Sequence, residues 1–277
     1  EVVIMTNPYK ILLVGCGKMG SAMLRGWLAK GISPTNICVI EPHSEDVSVL
    51  RSELSVSVLS SPEELHADYE PNIVVFAVKP QGMKDILDPY CGNLTSTAVV
   101  LSIAAGRNIA FFEKIFGVGA AVVRTMPNTP AAIGRGVTAA CANNNVDPVQ
   151  RAACQDLLEA IGDVVWVDDE ALIDPVTAVS GSGPAYVFLM IECLAHAGVV
   201  QGLPLKIAKE LALATVAGDG ELARVSDETA ETLRVNVTSP GGTTAAALEV
   251  LMAEDGLGVL MDQAVEAATR RSRELSG

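Results

Sequence analysis

Three glycines, Gly15, Gly17 and Gly20, stand as G-x-G-x-x-G in "ILLVGCGKMGSAMLRGWL". An apolar run precedes them and a helical pattern follows, which is the context in which this spacing holds a dinucleotide. Gly15 permits the tight turn, Gly17 lets backbone approach a pyrophosphate, and Gly20 lets helix and strand pack closely. The helix N-terminus adds N–H groups and a partial positive charge. Without a ligand the same pattern is simply a glycine-rich turn. An acidic residue is expected about 20 residues on, at the end of the second strand. Glu41 follows "ICVI" there. A carboxylate at that place accepts hydrogen bonds from ribose hydroxyls and repels a 2′-phosphate, which favours NADH over NADPH. His43, Ser44 and Arg51 lie close enough in sequence to accommodate such a phosphate.

Three more polar loops follow apolar runs. They are "AVKPQG" (77–82), "SIAAGR" (102–107) and "RTMPNTPAAIGRG" (124–136). Ligands of open α/β sheets bind at the edge where such loops gather. Lys79 is placed to face a cofactor's negative charge, and Pro80 ends its strand. Asn128 sits between Pro127 and Pro130 in a stiff loop. Near the C-terminus, "VTSPGGTTAAAL" (237–248) runs from Pro240, Gly241 and Gly242 into an Ala-rich segment. Glycines let backbone N–H groups turn inward, and a helix start attracts an anion. Thr243 and Thr244 can also cap a helix starting near Ala245.

The elements that must carry these loops differ between the two halves. Up to Val167, short apolar runs (11–14, 37–40, 73–78, 98–103, 120–124, 136–142 and 163–167) alternate with helix patterns such as 21–30 and 148–161. Continuous rather than alternating apolar residues suit strands covered on both faces. The fold class expected is α/β: an N-terminal Rossmann, doubly wound, mainly parallel sheet over 8–167. From Asp168 to residue 277 only 3.6-period segments occur, at about 184–201, 204–225, 243–254 and 257–275. This second domain is all-helical. "GPAYVFLMIECLAHAGVV" is apolar nearly all round, so it needs burial, and a second subunit would supply it.

Composition narrows the partners. The chain has 277 residues and a net charge of −14, which argues against nucleic acid. Six Cys without C-x-x-C spacing and three scattered His point to a reducing compartment and no metal site. No apolar run reaches membrane-spanning length, and no signal pattern opens the chain, so the expectation is a cytoplasmic protein with no membrane partner.

Taken in order and spacing, "GCGKMG", "AVKP", "SIAAG", "MPNTP", "VSGSGPAY" and "VTSPGGTT" resemble pyrroline-5-carboxylate reductase, from about Lys10 to about Leu275. The resemblance implies reduction of L-Δ1-pyrroline-5-carboxylate to L-proline with NADPH or NADH. It implies a Rossmann domain and a helical dimerisation domain whose two copies interlock. Dimers of the family often assemble further, commonly into a decamer, and the active site includes helices of the partner. Position by position, it implies cofactor contacts from Val14, Gly15, Cys16, Gly17, Lys18, Met19 and Gly20, from Glu41, from Ala77, Val78, Lys79 and Pro80, and from Ile103, Ala104 and Ala105. Asn128 would lie near the nicotinamide. Substrate contacts would come from Glu170, Asn236, Ser239, Gly241, Gly242, Thr243 and Thr244. Two departures stand out. Many relatives carry a His-Pro pair before the TSPGG loop and an acid where Val235 stands, and others have Ser or Thr in place of Glu41.

Imine reduction needs a hydride at carbon and a proton at nitrogen. A protonated imine is already electrophilic, so no dedicated His or Lys acid is required. Thr244 is the catalytic candidate, its hydroxyl accepting from the ring nitrogen or relaying a proton to it. Two rival readings are a hydroxyacid dehydrogenase and a cofactor-binding regulator without catalysis. The first would use a helical Lys, yet Lys206 and Lys209 sit in no glycine-rich loop. The intact TSPGGTT loop speaks against the second.

Overall fold

The computed structural model describes residues 9–42, 50, 52, 54–66, 68–92, 94 and 97–276. His43, Ser44 and Arg51 lie outside them. The described residues group into two compact units. One runs to Gly181 and takes back the chain from Thr269, and the other is Ser182–Ala268.

The first unit is built on a sheet of eight strands: β1 Ile11–Val14, β2 Ile37–Ile40, β3 Ser57–Leu59, β4 Ile73–Phe76, β5 Val99–Ser102, β6 Ala121–Met126, β7 Gly136–Ala142 and β8 Gly162–Trp166. Their order is β3-β2-β1-β4-β5-β6-β7-β8. Pairing is parallel from β3 through β6, β7 runs antiparallel to β6, and β8 is parallel to β7. This is the mainly parallel Rossmann sheet expected. All four residues of β1, β2, β4 and β5 are buried. Ile11 and Leu13 enter one core, with Trp27 and Leu157, while Leu12 and Val14 enter the other, with Phe76 and Phe112. Helices therefore cover both faces, which is why these runs are apolar throughout.

Among its described residues this unit's α-helices include α1 Lys18–Ala29, α2 Met83–Leu87, α3 Ile109–Phe116, α4 Pro148–Leu158 and the short α5 Ile173–Val176, which continues as a π turn, Thr177–Gly181. Local chemistry sets their starts. Asn108 accepts from the Phe111 N–H, and Asp147 with Gln150 forms a capping box behind Pro148. β3, α2 and α3 were not read from the sequence. Three residues with one buried position, Val58, give β3 no run to detect.

The second unit contains α6 Gly183–Val200, α7 Leu205–Val225, α8 Ala230–Asn236, α9 Thr243–Leu251 and the start of α10 Leu257–Ser276. Its apolar side chains are largely uncovered within one chain: Phe188, Leu189, Leu211 and Val250 are all more than half exposed. One expectation needs correction. The helical stretch Glu170–Val200 is long and apolar enough, by length and composition, to cross a membrane. It is not legible as a single apolar run because Glu192 and His196 interrupt Gly183–Val200.

Candidate active site

The strand order reverses between β1 and β4, and a crevice opens there beyond their C-terminal ends. A cleft of about 470 Å³ occupies it. Of the residues singled out in the sequence, Val14, Gly15, Gly17, Glu41, Ala77, Val78 and Lys79 line this cleft. Three separate strand ends, those of β1, β2 and β4, bring them together.

The glycine turn behaves as its sequence implies. Gly15 has φ +87°, and a Cβ there would stand 2.6 Å from Val78 Cγ1 and 2.8 Å from the Ala77 carbonyl oxygen. A Cβ on Gly20 would collide with the Gly15 carbonyl, so α1 packs on the turn only without one. Around Gly17 no described atom beyond its chain neighbours lies within 4 Å of a would-be Cβ. Its smallness is not demanded by the protein's own packing, and it leaves backbone open on the cleft side. Gly17 is also the N-cap of α1, with no side-chain cap and no acidic residue in the first turn. A helix start of this kind suits a phosphate. Lys18 is exposed, while Met19 is half-buried against the core.

Glu41 has a different first task from the one expected. It is 4% exposed, and its Oε2 accepts the Cys16 N–H at 2.7 Å. The Gly15 N–H donates to the Ile40 carbonyl at 2.8 Å. The Cys16 N–H of the predicted cofactor set is thus engaged by the carboxylate, and the backbone from Gly17 onward forms the open part of the turn. Glu41 still lines the cleft, so one carboxylate both braces the turn and borders the site.

Other predicted residues are not among those lining the cleft. Pro80 accepts from Arg107 Nη2 at 2.9 Å, joining the loop after β4 to the loop after β5. Ile103 donates to the Phe76 carbonyl at 3.2 Å, Ala104 is buried, and Ala105 is exposed. Asn128 uses both ends of its amide: Oδ1 accepts the Val137 N–H at 2.9 Å and Nδ2 donates to the Ser180 carbonyl at 3.1 Å. Glu170 Oε1 accepts from Arg124 Nη1 at 2.9 Å and from the Ile109 N–H at 2.7 Å. Nothing in the sequence singled out Arg124, since it stands inside an apolar strand.

The cleft also has walls that the sequence did not reveal: Ser60 and Pro62 after β3, Asp85 and Ile86 in α2, and Pro89 and Tyr90 after it. Recognising β3 would have placed the first two at the same sheet edge. Burial pushes the Tyr90 phenol above its ordinary value, so it brings no charge to this wall.

The polar loop of the second unit is ordered around its glycines. Gly241 has φ +71°, and Gly242 is extended and donates to the Ser239 carbonyl at 3.0 Å. The helix α9 begins at Thr243, not near Ala245, with Gly242 as N-cap and no side-chain cap. The capping role considered for Thr243 and Thr244 is therefore corrected: they are the first two helical residues. No acidic residue lies in that first turn. Ser239 and Thr243 are exposed and Thr244 is half-buried. Asn236 Nδ2 donates to Glu228 Oε2 at 3.1 Å.

Two family models match the chain. One, NADP oxidoreductase, coenzyme F420-dependent, covers residues 10–106. The other, pyrroline-5-carboxylate reductase dimerisation, covers residues 170–275. The pyrroline-5-carboxylate reductase of Pseudomonas aeruginosa is 39% identical over 272 residues, 98% of each chain. Among solved structures, a pyrroline-5-carboxylate reductase from Coxiella burnetii has a TM-score of 0.90 at 34% identity, covering 98% of this chain and 100% of that one. The Plasmodium falciparum pyrroline carboxylate reductase, solved with NADP bound, has a TM-score of 0.82 at 34% identity, covering 99% and 100%. With a Rossmann cleft, an uncapped helix start behind "TSPGG" and relatives matched along nearly their whole length, the chain belongs to the pyrroline-5-carboxylate reductase family of oxidoreductases.

Proposed function

We propose that this enzyme reduces L-Δ1-pyrroline-5-carboxylate to L-proline, the last step of proline biosynthesis, using NADPH or NADH in the cytoplasm. The observation that carries the reading is the start of α9. Left-handed Gly241 and extended Gly242 lead into a helix with neither a side-chain cap nor an acidic first turn. Such an end is suited to a carboxylate.

The residues of the cleft fit a dinucleotide: a turn with open backbone at Gly17, an uncapped α1, and Glu41 at the end of β2. Gly17, Lys18 and Met19 would hold the pyrophosphate, and Glu41 and Lys79 would flank it. When bound, the nicotinamide supplies the hydride. The chain's task is then positioning. The Gly241–Thr243 backbone holds the substrate carboxylate, and the Thr244 hydroxyl meets the ring nitrogen, which keeps the proton of the protonated imine. Ser239, Asn236 and Glu170 border or support the substrate region, and Asn128 stiffens the loop after β6. Glu41 favours NADH, because a buried carboxylate at the ribose repels a 2′-phosphate. The apolar faces of α6 and α7 are covered by a second copy, giving at least a homodimer.

The test is oxidation of NADPH and NADH with pyrroline-5-carboxylate, compared with a panel of 2-keto acids. Turnover confined to the imine is expected. Keto-acid reduction at comparable rates would overturn the assignment.

A further inference from the structure

One wall of the cleft has no part in holding the pyrophosphate or the substrate. It is formed by Pro62, Ile86, Pro89 and Tyr90. Tyr90 is 3% exposed, and its ring packs edge-on against Phe76 with centroids 5.5 Å apart. Its hydroxyl finds no hydrogen-bond partner among the described residues. Tyr69, another phenol beside β2, is different: it donates to the Ile11 carbonyl at 2.8 Å. A buried hydroxyl without a partner costs free energy, and phenylalanine would pack as well without that cost. A partner that arrives with a ligand accounts for the hydroxyl.

Its position indicates which part of a ligand. Burial, and then the neighbouring Glu63 and Cys38, hold the phenol's pKa up. It therefore stays protonated and acts as a donor. Those neighbours belong to β2 and to the turn after β3, the side of the cleft where Glu41 borders the ribose. Pro62, Ile86 and Pro89 present apolar surface suited to the faces of a flat base. Adenine carries ring-nitrogen acceptors on its edge.

We propose that Tyr90 recognises the adenine of the dinucleotide, its hydroxyl donating to a ring nitrogen while Pro62, Ile86 and Pro89 pack against the base. The hydroxyl is covered in the unliganded form, so the bond forms as the base enters and neighbouring side chains shift, a common event on binding. The inference rests on the reading of the cleft as the dinucleotide site.

Calorimetric titration of the wild type and Tyr90→Phe with ADP, nicotinamide mononucleotide, NADH and NADPH tests it. The variant should bind ADP about three- to tenfold more weakly, the loss of one neutral hydrogen bond. NADH and NADPH should weaken by the same factor, with nicotinamide mononucleotide unchanged and the unliganded Tm not lowered. Equal ADP affinity in the two proteins would overturn the inference while leaving the cleft reading intact. A loss confined to NADPH would assign the hydroxyl to the 2′-phosphate instead, and a lower unliganded Tm would give it a structural partner; either result overturns the base contact. A wild type that binds none of the four would overturn the cleft reading and this inference together.

Discussion

Arg124 Nη1 lies 2.9 Å from Glu170 Oε1, and the same oxygen accepts the Ile109 N–H at 2.7 Å. One carboxylate thus joins β6 to the first turn of α3. The Arg124 side chain is 5% exposed and that of Glu170 29%, so a buried guanidinium depends on a partly solvated partner. Removing that partner strands a charge away from water. Glu170→Ala should lower the unfolding free energy by about 3 kcal/mol, the low end for a broken buried pair because Glu170 keeps some water. Glu170→Gln, which keeps an acceptor for the Ile109 N–H, should cost less. Urea denaturation of both variants measures this. A raised KM for the imine with unchanged stability would instead make Glu170 a substrate ligand first.

Glu41 combines two roles that one substitution can separate. Its Oε2 holds the Cys16 N–H at 2.7 Å, and it lines the cleft at the end of β2. Glu41→Ser should lose the brace on the glycine turn, so kcat/KM falls with both cofactors. The loss should be greater for NADH, shifting the NADPH/NADH ratio of kcat/KM upward by about tenfold, roughly 1.4 kcal/mol. Steady-state kinetics with each cofactor decide it. An unchanged ratio would leave Glu41 only its bracing role.

Much of this arrangement was legible in the sequence because local physics marks it. β1, β2, β4 and β5 are buried on both faces and read as unbroken apolar runs. Gly15 and Gly20 were legible because backbone contacts and a positive φ at Gly15 exclude a side chain. What escaped depends on contacts distant in sequence. Arg124 finds Glu170 46 residues away, and the Asn128 amide finds Ser180 52 residues away. No periodicity records such pairs. The start of α9 was misjudged by two residues because Thr is a good cap, and only the backbone at Gly242 shows that the glycine holds that place.

The exposed apolar face of α6 predicts a self-association that a single charge should break. Phe188 is 59% exposed and lies in the matched dimerisation region, beside Leu189 at 57%. Placing a carboxylate there would desolvate it against apolar surface. Phe188→Glu should weaken association by at least about 2 kcal/mol, roughly thirtyfold in dissociation constant. Light scattering across a dilution series should show a smaller mass for the variant at low concentration. Dinucleotide binding should survive, because every residue lining the cleft belongs to the first unit. An unchanged mass at all concentrations would remove Phe188 from the interface.

Thr244 is the second residue of α9, half-buried and two positions past the N-cap Gly242. It is not the residue that caps the helix, so its hydroxyl is not accounted for by helix initiation. Alanine is a better helix former than threonine, so Thr244→Ala should not destabilise the helix. Any kinetic loss then reports the hydroxyl itself. The expected result is a fall in kcat/KM for the imine of about tenfold or more, within the range for a group that positions or relays a proton. Cofactor affinity should stay the same, because the cleft residues belong to the other unit. Thr244→Ser keeps the hydroxyl and should recover most of the rate. Wild-type kinetics in Thr244→Ala would exclude the hydroxyl from the reaction, leaving the backbone at Gly241 and Gly242 as the loop's whole contribution.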